Sequence, residues 1–214
     1  MIISNPVDIL TAMAAEQLCL PDGRVFGTGC ILGSSRFVRC IADYLQPALK
    51  NNILADSVYT DKTVTEPISG YVIGEHGDSQ VPLWSSASVC GISIEDYCKS
   101  RNIEWNKDIR QAIADRTRTM GADIIKAKGR TNYGIATCAC LLADAVLSDK
   151  HTKASVSTLL PEENNIALSV PCEIGADGVC LRMEPEWNNE EHDLFRQSAE
   201  KLRKMKNELP ADIK

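Results

Sequence analysis

Three short runs near the end of the chain restrict its fold more than any other feature. Residues 154–160, 166–170 and 179–183 read as strands, and Asp177-Gly178 between the last two makes a tight turn. Strands joined by so short a turn pair antiparallel, so the runs form a meander. The rest is helical. A short helix is expected over 11–18, and residues 34–45 set Phe37, Ile41, Tyr44 and Leu45 on one side of another. Residues 107–126 align Ile109, Ile113, Met120 and Ile124 in one stripe, while 133–147 is apolar or small nearly all round, as a buried helix would be. Asn188 with Glu191 can cap a final helix whose stripe is Leu194, Ser198 or Ala199, Leu202, Met205 and Leu209. Val25-Phe26 and 71–73 are short strands, and 46–66, with Pro47 and Asn51-Asn52, is irregular. Helices and antiparallel strands mix without a βαβα rhythm, so the class is α+β: an antiparallel β-meander packed with long helices.

Composition narrows the function. The 214 residues are 44% hydrophobic and 24% charged, ordinary for a soluble globular chain long enough to bury a substantial core. Net charge is −6, and no face interleaves Lys and Arg with aromatics, which argues against a nucleic-acid partner. The basic run Lys201, Arg203, Lys204, Lys206 reads as a solvated helix face. No apolar run is long enough to span a membrane, and the N-terminus has no signal-peptide pattern. Nine cysteines without a C-x-x-C pair, an odd count, fit reduced thiols in a cytoplasmic protein, most of them buried as small hydrophobes.

The strongest local signal is Gly74-Glu75-His76-Gly77-Asp78, a histidine between two glycines at the end of an apolar strand. Imidazole gives and takes a proton near neutral pH, and flanking glycines let a ligand approach. A loop histidine that only satisfies a hydrogen bond is the competing reading. His151 and His192 lie in polar surroundings and read as surface residues; neither makes a metal-ligand spacing with His76, so no metal is expected. Arg36, in the first turn of a helix, can pair with a carboxylate in a bidentate way, although a lone helix arginine is more often a surface residue. Thr131, after Lys128-Gly129-Arg130, can be a simple N-cap. Gly27-Thr28-Gly29-Cys30-Ile31-Leu32-Gly33 misses the dinucleotide spacing by one residue and reads as a plain strand-to-helix turn.

Taken together, Asn5-Pro6-Val7-Asp8-Ile9-Leu10, Gly27-Thr28-Gly29-Cys30, Ser35-Arg36-Phe37, Gly74-Glu75-His76-Gly77-Asp78-Ser79 and Val81-Pro82-Leu83-Trp84 resemble the lactate dehydrogenase family. Lys128-Gly129 with Thr131, and Leu168-Ser169-Val170-Pro171 with Ile174-Gly175, extend the resemblance over almost the whole chain. It implies a C-terminal-domain-like fold for 27–214, with 1–26 a remnant of the NAD-binding Rossmann domain. The implied reaction is NAD-dependent interconversion of pyruvate and L-lactate, or of a related 2-oxo/2-hydroxy acid. His76 would be the catalytic acid/base, and Arg36 the clamp on the substrate carboxylate. Asn5, before a cis peptide, would touch substrate and the NAD nicotinamide, and Thr131 would line the substrate side chain.

Three departures from the family pattern carry expectations of their own. The resemblance begins at the tail of the cofactor-binding domain, so the isolated chain should bind NAD poorly and leave an apolar edge at Ile2-Ile3. Gly33 stands where the family carries the aspartate that orients the catalytic imidazole, so His76 should be less basic than in active relatives and turnover impaired. Residues 46–66 exceed the usual connection. Val38 and Ser69 replace the residues of a sugar-phosphate activation site, so such activation is not expected. A different class of function also fits: a non-catalytic oligomerisation or regulatory partner of an intact paralogue, since family members assemble partly through this half.

Overall fold

The computed structural model describes residues 1–52, 68–184 and 186–210. In chain order the elements are α1 (Val7–Leu18), β1 (Phe26–Gly27), α2 (Ile31–Asn52), β2 (Ile68–Ile73), β3 (Val81–Val89), β4 (Ile92–Ser93) and α3 (Ile94–Ser100). There follow α4 (Lys107–Lys128), α5 (Tyr133–Leu147), β5 (Thr152–Leu160), β6 (Ile166–Gly175), β7 (Gly178–Arg182) and α6 (Asn189–Asn207). Among them no helix is long and apolar enough to cross a membrane.

Two antiparallel sheets result, which bears out the α+β reading. One has the order β1-β5-β6-β7 and contains the expected meander; the other is β2-β3-β4. They are stitched where β2 ends: Gly74 and Ser169 exchange both backbone hydrogen bonds at 2.9 Å. The meander sheet carries one apolar cluster, with Val156, Leu168, Ile174, Leu142 and Ala199 inside it. A second cluster gathers Phe37, Ile41 and Leu45 of α2 with Val72, Val89, Tyr97 and Ile113. At the N-terminus, Ile2 lies parallel to Gly27, donating to Phe26 O and accepting from Thr28 N–H, while Met1 and Ile3 remain exposed.

Several boundaries move from those expected. Helix α1 starts a turn earlier, at Val7, and packs on β5 and β6. Helix α2 runs through Pro47 to Asn52, where an irregular segment was expected; proline forfeits one helical hydrogen bond, and a helix anchored upstream by Phe37, Ile41 and Leu45 tolerates that loss. The rest of the supposed insertion, 53–66, lies outside the described residues. Strand β3 was missed although Val81, Leu83, Ala87 and Val89 alternate inward. The stripe of α6 buries Ser198, Ala199 and Leu202 as expected, but its first member is Phe195 and not Leu194, which is exposed. The capping box of Asn188 and Glu191 is present. Of the basic run on α6, Lys201, Arg203 and Lys206 are not a solvated face. They reach Glu75, Glu163 and Glu16 on other elements.

The largest correction concerns α5. It buries one stripe only, Cys138, Leu142 and Ala145, spaced i, i+4, i+7, and leaves Tyr133 76%, Leu141 55% and Leu147 86% exposed. Apolarity all round a helix says that its faces prefer cover and does not say which face this domain covers. Truncating Leu142 to Ala should therefore cost about 2–5 kcal/mol in urea denaturation, while Leu147→Ala should stay within about 0.5 kcal/mol of the parent. Equal losses would mean that α5 is covered on both sides.

Candidate active site

His76 sits half-buried in the turn that follows β2, and three elements fix that turn through its backbone. Asp8 of α1 accepts the His76 N–H on Oδ2 at 2.7 Å. Ser198 of α6 accepts the Glu75 N–H at 2.6 Å, and β6 holds Gly74 as described. The Glu75 side chain folds back into the turn. It accepts from the Ser79 N–H at 3.1 Å, the Ser79 hydroxyl at 2.5 Å and the Lys201 ammonium at 2.8 Å. Burial pushes the Glu75 carboxyl up, but Lys201 and Ser79 outweigh it and hold it below the ordinary carboxylate range.

The turn that begins α2 is clamped in the same way. Ser169 accepts the Cys30 N–H at 3.0 Å, and Ser34 accepts the Val72 N–H at 2.9 Å. Serine hydroxyls thus take up backbone N–H groups at the turn and along the edge of β2. The glycines of this turn are packed inside. A Cβ on Gly27 would lie 2.3 Å from Thr11 Oγ1, and one on Gly29 would lie 2.4 Å from Ser157 N. The turn faces its own sheet and offers no open cradle, in keeping with its reading as a plain turn.

One helical turn later, Arg36 is half-buried and its guanidinium lies against the backbone of α4. A Cβ on Gly121 would come within 3.0 Å of its Nη1. Burial lowers the guanidinium pKa, from so high a value that it stays charged at neutral pH. Arg36 lines a cavity of about 310 Å³ with Thr131, Leu32, Met120, Arg130 and Tyr133. His76 is not among the residues lining that cavity; its link to Arg36 is electrostatic. Burial lowers the His76 pKa below the ordinary imidazole value, and the Arg36 charge lowers it further; Glu75 and the Gly29 backbone pull weakly the other way. Among the described residues no carboxylate is seen to pair with the ring in the place of an acid at Gly33. A Cβ on Gly33 would meet Gln80 Oε1 at 3.1 Å and Val72 Cγ1 at 3.6 Å, so a side chain fits there once Gln80 gives way.

Thr131 is not the cap of α5: Asn132 is, accepting the Tyr133 N–H, and Thr131 stays exposed in the cavity. Asn5 is exposed and precedes a cis peptide to Pro6 at the start of α1. His151 and His192 are exposed, the first paired with Glu173 at 2.7 Å and the second stacked near Trp187. Among the described residues no group of three or more His, Cys, Asp or Glu is placed to hold a metal. Five of the nine cysteines are buried and all are free. Reading the sequence missed Asp8, Lys201, Ser198 and Gly121 as parts of the site. For Asp8 the signal was an acid among the apolar residues of the first turn of α1; for the others, nothing local sets them apart until the chain is folded.

Comparison with known proteins identifies the domain. Residues 37–212 match the model of the lactate/malate dehydrogenase alpha/beta C-terminal domain. The chain is 36% identical to L-lactate dehydrogenase of Chloroherpeton thalassium over 94% of its own length and 61% of that protein's. It is 35% identical to the Deinococcus radiodurans L-lactate dehydrogenase (98% and 62%) and 36% identical to that of Thermus aquaticus (95% and 61%). It therefore spans about three fifths of the length of the curated relatives it matches. On a family match over most of its residues and on these relatives, the chain belongs to the lactate/malate dehydrogenase family, a family of oxidoreductases, through that family's C-terminal domain.

Proposed function

We propose that this chain supplies the proton-transfer and carboxylate-binding groups for interconversion of a 2-oxo acid and its 2-hydroxy acid, with pyruvate and L-lactate the leading pair and NAD the hydride carrier. The observation that carries this reading is the placement of Arg36. It lines the cavity shared with Thr131 while its charge reaches the His76 ring. In the reduction, the His76 imidazolium gives its proton to the keto oxygen, and in the oxidation the neutral ring removes it from the hydroxyl. Arg36 pairs with the carboxylate and fixes which face of the carbonyl is presented. Thr131 borders the substrate side chain.

The cofactor fits this chain only in part. Asn5, exposed ahead of α1, can meet the nicotinamide end, whereas the buried glycines of 27–29 have no room for a pyrophosphate. NADH, when bound, supplies the hydride. We take 1–26 to derive from the cofactor-binding domain and 27–214 to be the substrate domain. The bare apolar face of α5 favours a second reading, association with another copy or an intact paralogue. A monomeric mass by light scattering at high concentration, with no paralogue retained on purification, would remove that alternative.

Titrating the chain with oxamate, an unreactive isostere of pyruvate, should shift the NMR signals of Thr131, the Arg36 guanidinium and His76, and Arg36→Gln should abolish the response. Shifts confined to other surfaces, or binding untouched by Arg36→Gln, would sink the reading. A second prediction concerns the missing acid. The lowered His76 pKa leaves the ring neutral at pH 7, poorly loaded for the reductive direction. The resemblance puts the orienting acid at position 33, so Gly33→Asp should favour the charged imidazole and raise the His76 pKa from its lowered state. Ring carbon shifts followed from pH 4.5 to 9 report this, and an unchanged midpoint would show that position 33 does not face the ring.

A further inference from the structure

Asp8 is a buried acid for which the proton transfer above has no use. It is 3% exposed, in the first turn of α1, and its Oδ2 is taken by the His76 N–H. Its Oδ1 is buried without a hydrogen-bond partner, and so are Thr11 Oγ1 and Ser157 Oγ, on residues that are both 0% exposed. These three oxygens share one place. Thr11 follows Asp8 on the same helix face. Gly27 pairs with Ser157 across the β1–β5 ladder, and a Cβ on Gly27 would lie 2.3 Å from Thr11 Oγ1 and 3.2 Å from Ser157 Cβ.

The charges around Asp8 do not compensate it. From the turn after β2 come Glu75, a second acid, and His76, whose backbone amide is the one N–H donor to the carboxyl. The start of α2 presents Cys30, a buried thiol. From β5 comes the Ser157 hydroxyl. On α6, Lys201 is engaged by Glu75. A buried carboxylate with one N–H donor, an acid beside it and no cation is costly when ionised.

We propose that Asp8 is a positioning residue for His76, holding the catalytic turn through Oδ2 while its proton sits on Oδ1, directed at the hydroxyls of Thr11 and Ser157. Only the importance of the turn rests on the acid/base reading of His76; the placement of the proton does not. Burial pushes the Asp8 carboxyl up to about 6, opposed by Ser157 and the His76 amide and aided by Glu75. Its ordinary value is 3.8, so the folded state holds this proton more tightly than the unfolded one. The stabilisation is complete at pH below 3.8 and is lost as pH rises through about 6. Across that window the α1 anchor of the catalytic turn changes from a neutral carboxyl to a buried anion.

Asp8→Asn tests the assignment, because its carbonyl oxygen can accept the His76 N–H and its NH₂ stands where the carboxyl proton is placed. The melting temperature of the variant relative to the parent should climb between pH 5 and pH 8. In a His76→Gln background, where residue 76 itself carries no imidazole and His151 and His192 lie exposed elsewhere, the amide signal of residue 76 should show an inflection near pH 6 that Asp8→Asn removes. An inflection that persists in Asp8→Asn, or a flat amide signal in the parent background, overturns the proposal. Failure of the acid/base reading would show separately, in the oxamate titration.

Discussion

Glu75 and Lys201 stand 126 positions apart, and their 2.8 Å contact joins the turn that carries His76 to the last helix of the domain. The carboxylate is nearly buried and the ammonium partly exposed, so the pair does more than a surface ion pair, which is worth little. Loss of Lys201 would leave a buried charge without a cation, the costly half of such an arrangement. Ser198, one helical turn before Lys201, takes the Glu75 N–H, so α6 grips the turn by both backbone and side chain. The capping box at Asn188 and Glu191 then matters for more than helix stability. It sets where α6 begins, Glu191 also binds Ser85 of β3 through its N–H at 3.0 Å, and the helix reaches Glu75 in register.

Two buried acids flank His76, and their surroundings drive them apart. Lys201 and Ser79 keep Glu75 ionised, whereas Asp8 has no cation partner among the described residues and is pushed toward the neutral form. Divergence of this kind between neighbouring carboxyls is a recurrent feature of sites that handle protons. The His76 imidazole has its pKa lowered by burial and by Arg36, and Gly33 offers it no anion. The electrostatics of the site are thus tuned by the backbone anchors of the turn at least as much as by groups that touch the ring.

Much of the architecture could be read from residues alone. The meander followed from turn chemistry at Asp177-Gly178, and the α6 cap from Asn188 and Glu191, because both are local rules acting over a few residues. His76, Arg36 and Thr131 were singled out by residue type, and the cavity joins the last two. What stayed hidden was set by tertiary contact. The open face of α5, the passage of α2 through Pro47 and the cross-element pairs of Lys201, Arg203 and Lys206 depend on which surfaces meet, and periodicity is silent about that.

The glycine turn at 27–29 has a bearing on how such a domain can change over evolutionary time. Its spacing lies one residue from a phosphate-binding loop, a short distance in sequence. In space the gap is wide, since Thr11 Oγ1, Val7 and the β5 backbone occupy the volume that an incoming anion would need. No exchange at a single codon clears three neighbours from two different elements. A lineage carrying this domain would have to recruit nucleotide recognition from a fused or docked module rather than by drift within the turn itself.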